Sequence, residues 1–175
     1  MNLNAEFLKQ FCSTDGSRLV ICRPFSQEQW TYATDGRLLI RIPRLADVPE
    51  YGDSPKAIDK NIFGTNLISN EWQAVPTDLP PLLSEEKCRK CLGCGRHECN
   101  CGNVHDCEAC EGAGVIPIRP KGVAVGCHLA SEIYLHKIKG IPGIEICVSS
   151  KDDLHAIGVR FDGGGEGRLA TMKKD

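Results

Sequence analysis

Long apolar runs are missing from this chain. Nowhere among its 175 residues do eighteen apolar ones follow each other, so no transmembrane helix is expected. Charge of one sign is missing too. The formal net charge is only -2, which excludes a global basic field that would gather nucleic acid and an acidic one that would keep the chain unfolded. The opening residues MNLNAEFLKQFC carry Glu6 and Lys9 and hold no uninterrupted apolar core. They lack the pattern of a secretory leader, and the expectation is a cytoplasmic protein without membrane attachment. In a reducing compartment, clustered cysteines favour metal over disulfides.

Cysteine is what the chain has in quantity. Seven of its eleven cysteines fall between Cys88 and Cys110, in the stretch CRKCLGCGRHECNCGNVHDCEACEGAG. Cys88 and Cys91 are separated by two residues, and so are Cys107 and Cys110. Each such pair can hold one ion from a tight turn, and two pairs complete a tetrahedron of thiolates. The flanks match as well: both halves read C-x-x-C-x-G-x-G, with Gly93 and Gly95 in one and Gly112 and Gly114 in the other. Glycine lets the backbone close around the ion so that amides can point at sulfur. Four protein ligands close a zinc site, so its expected role is structural. Between the halves lie Cys94, His97, Cys99, Cys101 and His105. They could build a second zinc site, or remain spare thiols and imidazoles in a loop.

The repeated C-x-x-C-x-G-x-G resembles the cysteine-rich zinc module of DnaJ-type co-chaperones. Here the resemblance covers residues 88–114, with two repeats where that family has four. It implies that Cys88, Cys91, Cys107 and Cys110 share one zinc. It also brings a chaperone-like reading, against which stands the absence of any His-Pro-Asp signature of a J-domain.

Outside the cluster, the pattern is that of a small α+β domain. Leu3, Phe7, Leu8 and Phe11 share one face of an N-terminal helix that Asn2 or Asn4 could cap. Short alternating runs follow at 18–22, 29–33 and 37–42, punctuated by Asp15-Gly16 and Asp35-Gly36 turns. From 45 to 87, scattered prolines predict an irregular linker, with a short helix within 62–72. VIPIRP then reads as a strand, 127–139 as a second amphipathic helix, and 144–148, 156–161 and 167–172 as strands. FDGGGEG reads as a hairpin turn. The expected architecture is therefore one α+β domain from 1–44 and 115–175, an antiparallel sheet with two helices. A zinc-binding insertion at 88–114 interrupts it. Its two segments mirror each other as a helix followed by strands.

TYATDGRLLIRIP, residues 31–43, resembles the strand–turn–strand of bacterial DNA sliding clamps, and the segment 127–172 is similar in layout to a half-repeat of that family. The chain has room for one such repeat, where clamps have two or three. The resemblance implies helices that face DNA, with Lys137 and Lys139, beside Lys9 and His136, as the basic residues presented to phosphates. Those lysines are few, and Glu6 and Glu132 oppose them. The module carries Lys87, Arg89, Lys90 and Arg96 beside Glu98, Asp106, Glu108 and Glu111, a mixed surface that fits a protein partner better than DNA. Self-association is left open. Cys12, Cys22, Cys127 and Cys147 read as small buried hydrophobes, and His128, His136 and His155 as surface or helix histidines. No catalytic constellation is visible: a thiol–disulfide enzyme needs an activated free thiol, and a zinc hydrolase needs an open coordination position. The expected function is a non-enzymatic zinc-binding interaction protein, possessing a protein partner or DNA as its target.

Overall fold

The computed structural model describes residues 2–50, 63, 71–82, 85–98, 103–118, 120–147 and 156–172. They form two compact units, residues 1–79 with 122–175 and residues 80–121. In chain order the first unit contains helix α1 (Ala5–Lys9), a 3-10 turn (Leu19–Ile21), and strands β1 (Phe25–Gln27), β2 (Trp30–Thr34), β3 (Leu38–Pro43) and β4 (Trp72–Ala74). The second unit contains β5 (Glu85–Lys87), β6 (Arg96–Glu98), β7 (Val104–Asp106) and β8 (Val115–Pro117). The first then resumes with β9 (Gly122–Val125), β10 (His128–Ser131), α2 (Glu132–Ile138), β11 (Glu145–Cys147), β12 (Ala156–Phe161) and β13 (Gly165–Ala170).

The larger unit is a mixed α+β structure built on one seven-stranded antiparallel sheet, in the order β1-β2-β3-β13-β12-β11-β4. Strands 1-2-3 of the N-terminal segment meet 13-12-11 of the C-terminal one, so the sheet repeats its own order about the central β3–β13 pair. That pair is in register at Arg41↔Glu166, Ile40↔Gly167, Leu39↔Arg168 and Leu38↔Leu169. A helix precedes each set of strands. The mirrored layout expected from the sequence is present at this level.

One face of the sheet carries the core. Leu38, Ile40 and Ile42 from β3, Ile157, Val159 and Phe161 from β12, and Leu169 from β13 alternate inward. Phe7, Leu8 and Phe11 pack against them from the N-terminal helical segment, with Leu135 and Ile138 from α2. Each fully buried Leu or Ile here contributes about 1.5–3 kcal/mol. Gly165 is needed for this packing, since a β-carbon there would lie 2.0 Å from the Phe161 ring. α1 starts where expected, because Asn4 Oδ1 accepts the Phe7 N–H at 2.9 Å.

The opposite face is aromatic and cationic. Phe25 stacks on Tyr32 with centroids 5.5 Å apart. Arg41 lies 4.2 Å from the Trp30 ring centre and 3.8 Å from that of Phe63, and pairs with Glu166 across the central strands. Arg160 covers Trp72 at 4.4 Å and bonds Glu145 at 2.6 Å.

Several local expectations are corrected. Residues 18–22 are not a strand; Leu19–Ile21 is a 3-10 turn with Leu19 72% exposed, because the Ile21 N–H bonds the Arg18 carbonyl at 3.0 Å and the Cys22 N–H that of Leu19 at 3.3 Å. The helix expected from Cys127 starts only at Glu132, since Gly122–Val125 and His128–Ser131 form a hairpin through Gly126-Cys127. VIPIRP belongs to the smaller unit, where Val115–Pro117 pairs with Glu85–Lys87. The stretch 45–87 is not wholly irregular. It supplies that β5 strand, and its Trp72–Ala74 extends the large sheet beside β11. The helix expected within 62–72 lies almost entirely outside the described residues, and its last residue, Trp72, is in β4.

Candidate metal centre

The smaller unit is built on two copies of one turn. In the first, Gly93 N–H donates to the Cys88 carbonyl at 3.1 Å and Cys94 N–H to that of Cys91 at 3.1 Å. In the second, Gly112 donates to Cys107 at 3.2 Å and Ala113 to Cys110 at 2.8 Å. Backbone angles repeat as well. Leu92 and Glu111 have φ of 53° and 50°, and Gly95 and Gly114 both have 76°. The turns also bind each other: Cys88 N–H donates to the Gly114 carbonyl at 2.9 Å, and Cys107 N–H to that of Gly95 at 2.7 Å. The first cysteine of each repeat is thus held by the last glycine of the other.

This reciprocal pairing brings four sulfurs together. Cys88, Cys91, Cys107 and Cys110 are all buried, and their ligand atoms lie within 4.8 Å of one another. Cys88 and Cys107 sulfurs are 3.9 Å apart, those of Cys91 and Cys110 3.7 Å. A tetrahedral zinc ion with sulfur at about 2.3 Å sets neighbouring sulfurs about 3.8 Å apart. The four cysteines therefore fit zinc in donor type, number and spacing. The spacings are far longer than the ~2.05 Å of a disulfide, and all four thiols are free.

Backbone amides complete the cage. Gly95 N–H points at the Cys91 sulfur and Gly114 N–H at that of Cys110, each at 3.2 Å. Burial raises the Cys91 thiol, but the Gly95 and Gly93 amides and the neighbouring thiols outweigh it and bring it down to about 6. Cys110 is pushed up to about 12, by burial first and then by the surrounding thiols. Of these two thiols, Cys91 therefore gives up its proton readily and Cys110 resists, because thiolates this close repel. A divalent cation removes that resistance.

The residues between the repeats are placed differently. Arg96–Glu98 pairs with Val104–Asp106, setting His97 directly across from His105. His97 Nε2 lies 3.2 Å from the Cys107 sulfur, which places it beside the four-cysteine group. Cys94 is exposed and donates to the Arg96 carbonyl at 3.1 Å. Cys99 and Cys101 lie outside the described residues. Among the described residues the only group of three or more potential ligands is the four-cysteine one.

Elsewhere, Cys12 and Cys147 are buried as expected, but Cys22 is half-buried and Cys127 exposed. His128 is buried in β10 and not on the surface, His136 is in α2, and His155 lies outside the described residues. Lys137 reaches Asp35 at 3.5 Å, and Lys139 caps α2 with its side chain exposed. No helix among the described residues is long and apolar enough to cross a membrane. Compared with known proteins, the chain matches no family model, no curated protein and no solved structure.

Proposed function

We propose that this is a non-enzymatic interaction protein in which one structural zinc ion holds a small recognition module, carried on a scaffold built like a single sliding-clamp repeat. The observation that carries the reading is the closure of the four-cysteine site. All four sulfurs are buried within one another's reach, which leaves no coordination position for a substrate or an activated water. The same closure argues against a thiol–disulfide catalyst, whose attacking sulfur must be reachable. The mirrored strand order of the large sheet supports the clamp-like scaffold and, by analogy of fold alone, a place in DNA metabolism.

A protein target is favoured over DNA. Lys137 is engaged by Asp35, which leaves Lys139 as the exposed lysine of α2. On the module, Leu92 is 85% exposed and Val104 60%, an apolar presentation that phosphate recognition does not require. Those side chains also keep a chaperone-like reading in play as the second choice.

Elemental analysis of protein purified without chelator is the test. One zinc per chain is expected, and metal-free folded protein would defeat the proposal. Fluorescence anisotropy on primed DNA at low and high salt separates the targets. Binding at low salt that vanishes at high salt would place DNA first. Suppression of aggregation of a denatured client would promote the chaperone reading.

A further inference from the structure

We propose that His97 is a reserve ligand, which gives this centre a second, Cys3His ligand set: Cys88, Cys91, Cys110 and His97. The inference rests on the four-cysteine reading and extends it. His97 stands on β6, directly after the first repeat, and its Nε2 is 3.2 Å from the Cys107 sulfur. Cys107 is the ligand suited to replacement. Cys91 and Cys110 each accept a glycine amide of their own repeat, whereas the contact that Cys107 receives comes from an imidazole, itself a good zinc donor.

The exchange is simple in its chemistry. With an ion held there, the Cys107 thiolate would leave it and take a proton from solvent, and His97, with its ring proton on Nδ1, would supply the Nε2 lone pair in its place. Three thiolates and one imidazole are an ordinary zinc ligand set, with one negative charge fewer than four thiolates. The exchange costs little ordering, because the β6–β7 hairpin already holds the imidazole against the sulfur it would replace. The site would then keep its ion whenever Cys107 is withdrawn from it.

Cobalt(II) and zinc titration of the full chain tests this, read by the thiolate-to-cobalt charge-transfer band and by competition with a chelator. Cys107→Ala should still bind one ion, within about tenfold of the wild-type affinity, with the charge-transfer band lower by roughly a quarter as one thiolate in four is lost. Cys88→Ala removes the equivalent ligand of the other repeat, whose sulfur is bonded by no histidine among the described residues, and should bind at least about a hundredfold more weakly. Adding His97→Ala to Cys107→Ala should abolish binding, and adding His105→Ala should not. The proposal is overturned if Cys107→Ala is as empty as Cys88→Ala, or if its retention survives His97→Ala. A wild-type chain that binds no ion would remove the four-cysteine reading itself, whereas a loaded wild type with an empty Cys107→Ala removes this inference alone.

Discussion

Gly95 lies so close to Gly112 that a β-carbon on the former would stand 2.2 Å from the latter's carbonyl oxygen. The other repeat answers in kind, with Gly114 placing the same atom 2.4 Å from the Gly93 carbonyl. Both glycines also sit at positive φ. The two turns can therefore interlock only if their last residue has no side chain, and the amides that reach the Cys91 and Cys110 sulfurs depend on that interlock.

Gly95→Ala should consequently weaken metal binding at least tenfold. The left-handed backbone alone costs an alanine about 1–2 kcal/mol, and the clash with backbone adds to it. Gly114→Ala should behave alike. Gly140→Ala, where nothing lies within 4 Å of the new atom, is the control and should leave affinity unchanged. Chelator competition on the three variants checks this, and a wild-type affinity for Gly95→Ala would refute the interlock.

Metal removal should unfold one unit and spare the other. The buried cluster of the smaller unit consists of its four cysteines, with Ile116 against them, and a core that small cannot hold a fold unaided. The larger unit has its own apolar core over the seven-stranded sheet. Both tryptophans of the chain, Trp30 and Trp72, are in that larger unit. Chelation should therefore abolish amide protection in β5–β8 while Trp fluorescence and the protection of β3, β12 and β13 persist. A single cooperative loss of both signals would show that the units are not independent.

The divide between what could and could not be read from sequence follows from chemical locality. The four-cysteine group is legible in the sequence because a C-x-x-C-x-G-x-G turn makes its own hydrogen bonds, such as Gly93 to Cys88, within a few residues. The central hairpins were legible for a similar reason: Asp35-Gly36 and the run after Phe161 are turn chemistry between alternating strands. In the sequence His97 stands only as one of five candidates for a second zinc site, and its place beside Cys107 is not legible there, because that contact depends on the register of a hairpin. Trp72–Ala74 was missed because three residues among prolines carry no periodicity, and their partner Glu145–Cys147 is remote in sequence. The start of α2 was misplaced because Leu129 and Ile133 fit a helical stripe as well as they fit a strand followed by a helix.

Leu92→Asn should strengthen the module. Leu92 holds a φ of 53° while 85% exposed, so it takes a backbone conformation that disfavours leucine and gains almost no burial in return. Asparagine tolerates that region without glycine's loss of chain entropy. A gain of about 0.5–1 kcal/mol is expected, seen as a several-fold tighter zinc affinity. If partner binding falls in the same variant, the strain is retained for recognition; unchanged or weaker zinc binding would contradict the assignment of strain.

Alkaline pH should loosen the larger unit through Cys12 and Tyr134. Burial raises the Cys12 thiol from the ordinary 9.0 to about 11. Burial, followed by the charge of Asp35 and a hydrogen bond to it, raises the Tyr134 phenol from 10.0 to about 12. Both groups are neutral when protonated, and the folded state binds their protons more tightly than the unfolded chain does. The sign is therefore fixed: their contribution is complete below pH 9 and drains away as pH climbs, for Cys12 between about 9 and 11 and for Tyr134 between about 10 and 12. Urea midpoints read by Trp fluorescence should be flat from pH 7.5 to 8.5 and decline above 9. Cys12→Ala should start lower, by about 1 kcal/mol for the lost buried sulfur, and decline less steeply between pH 9 and 11. Parallel declines in the two proteins would mean that Cys12 ionisation does not drive the alkaline loss.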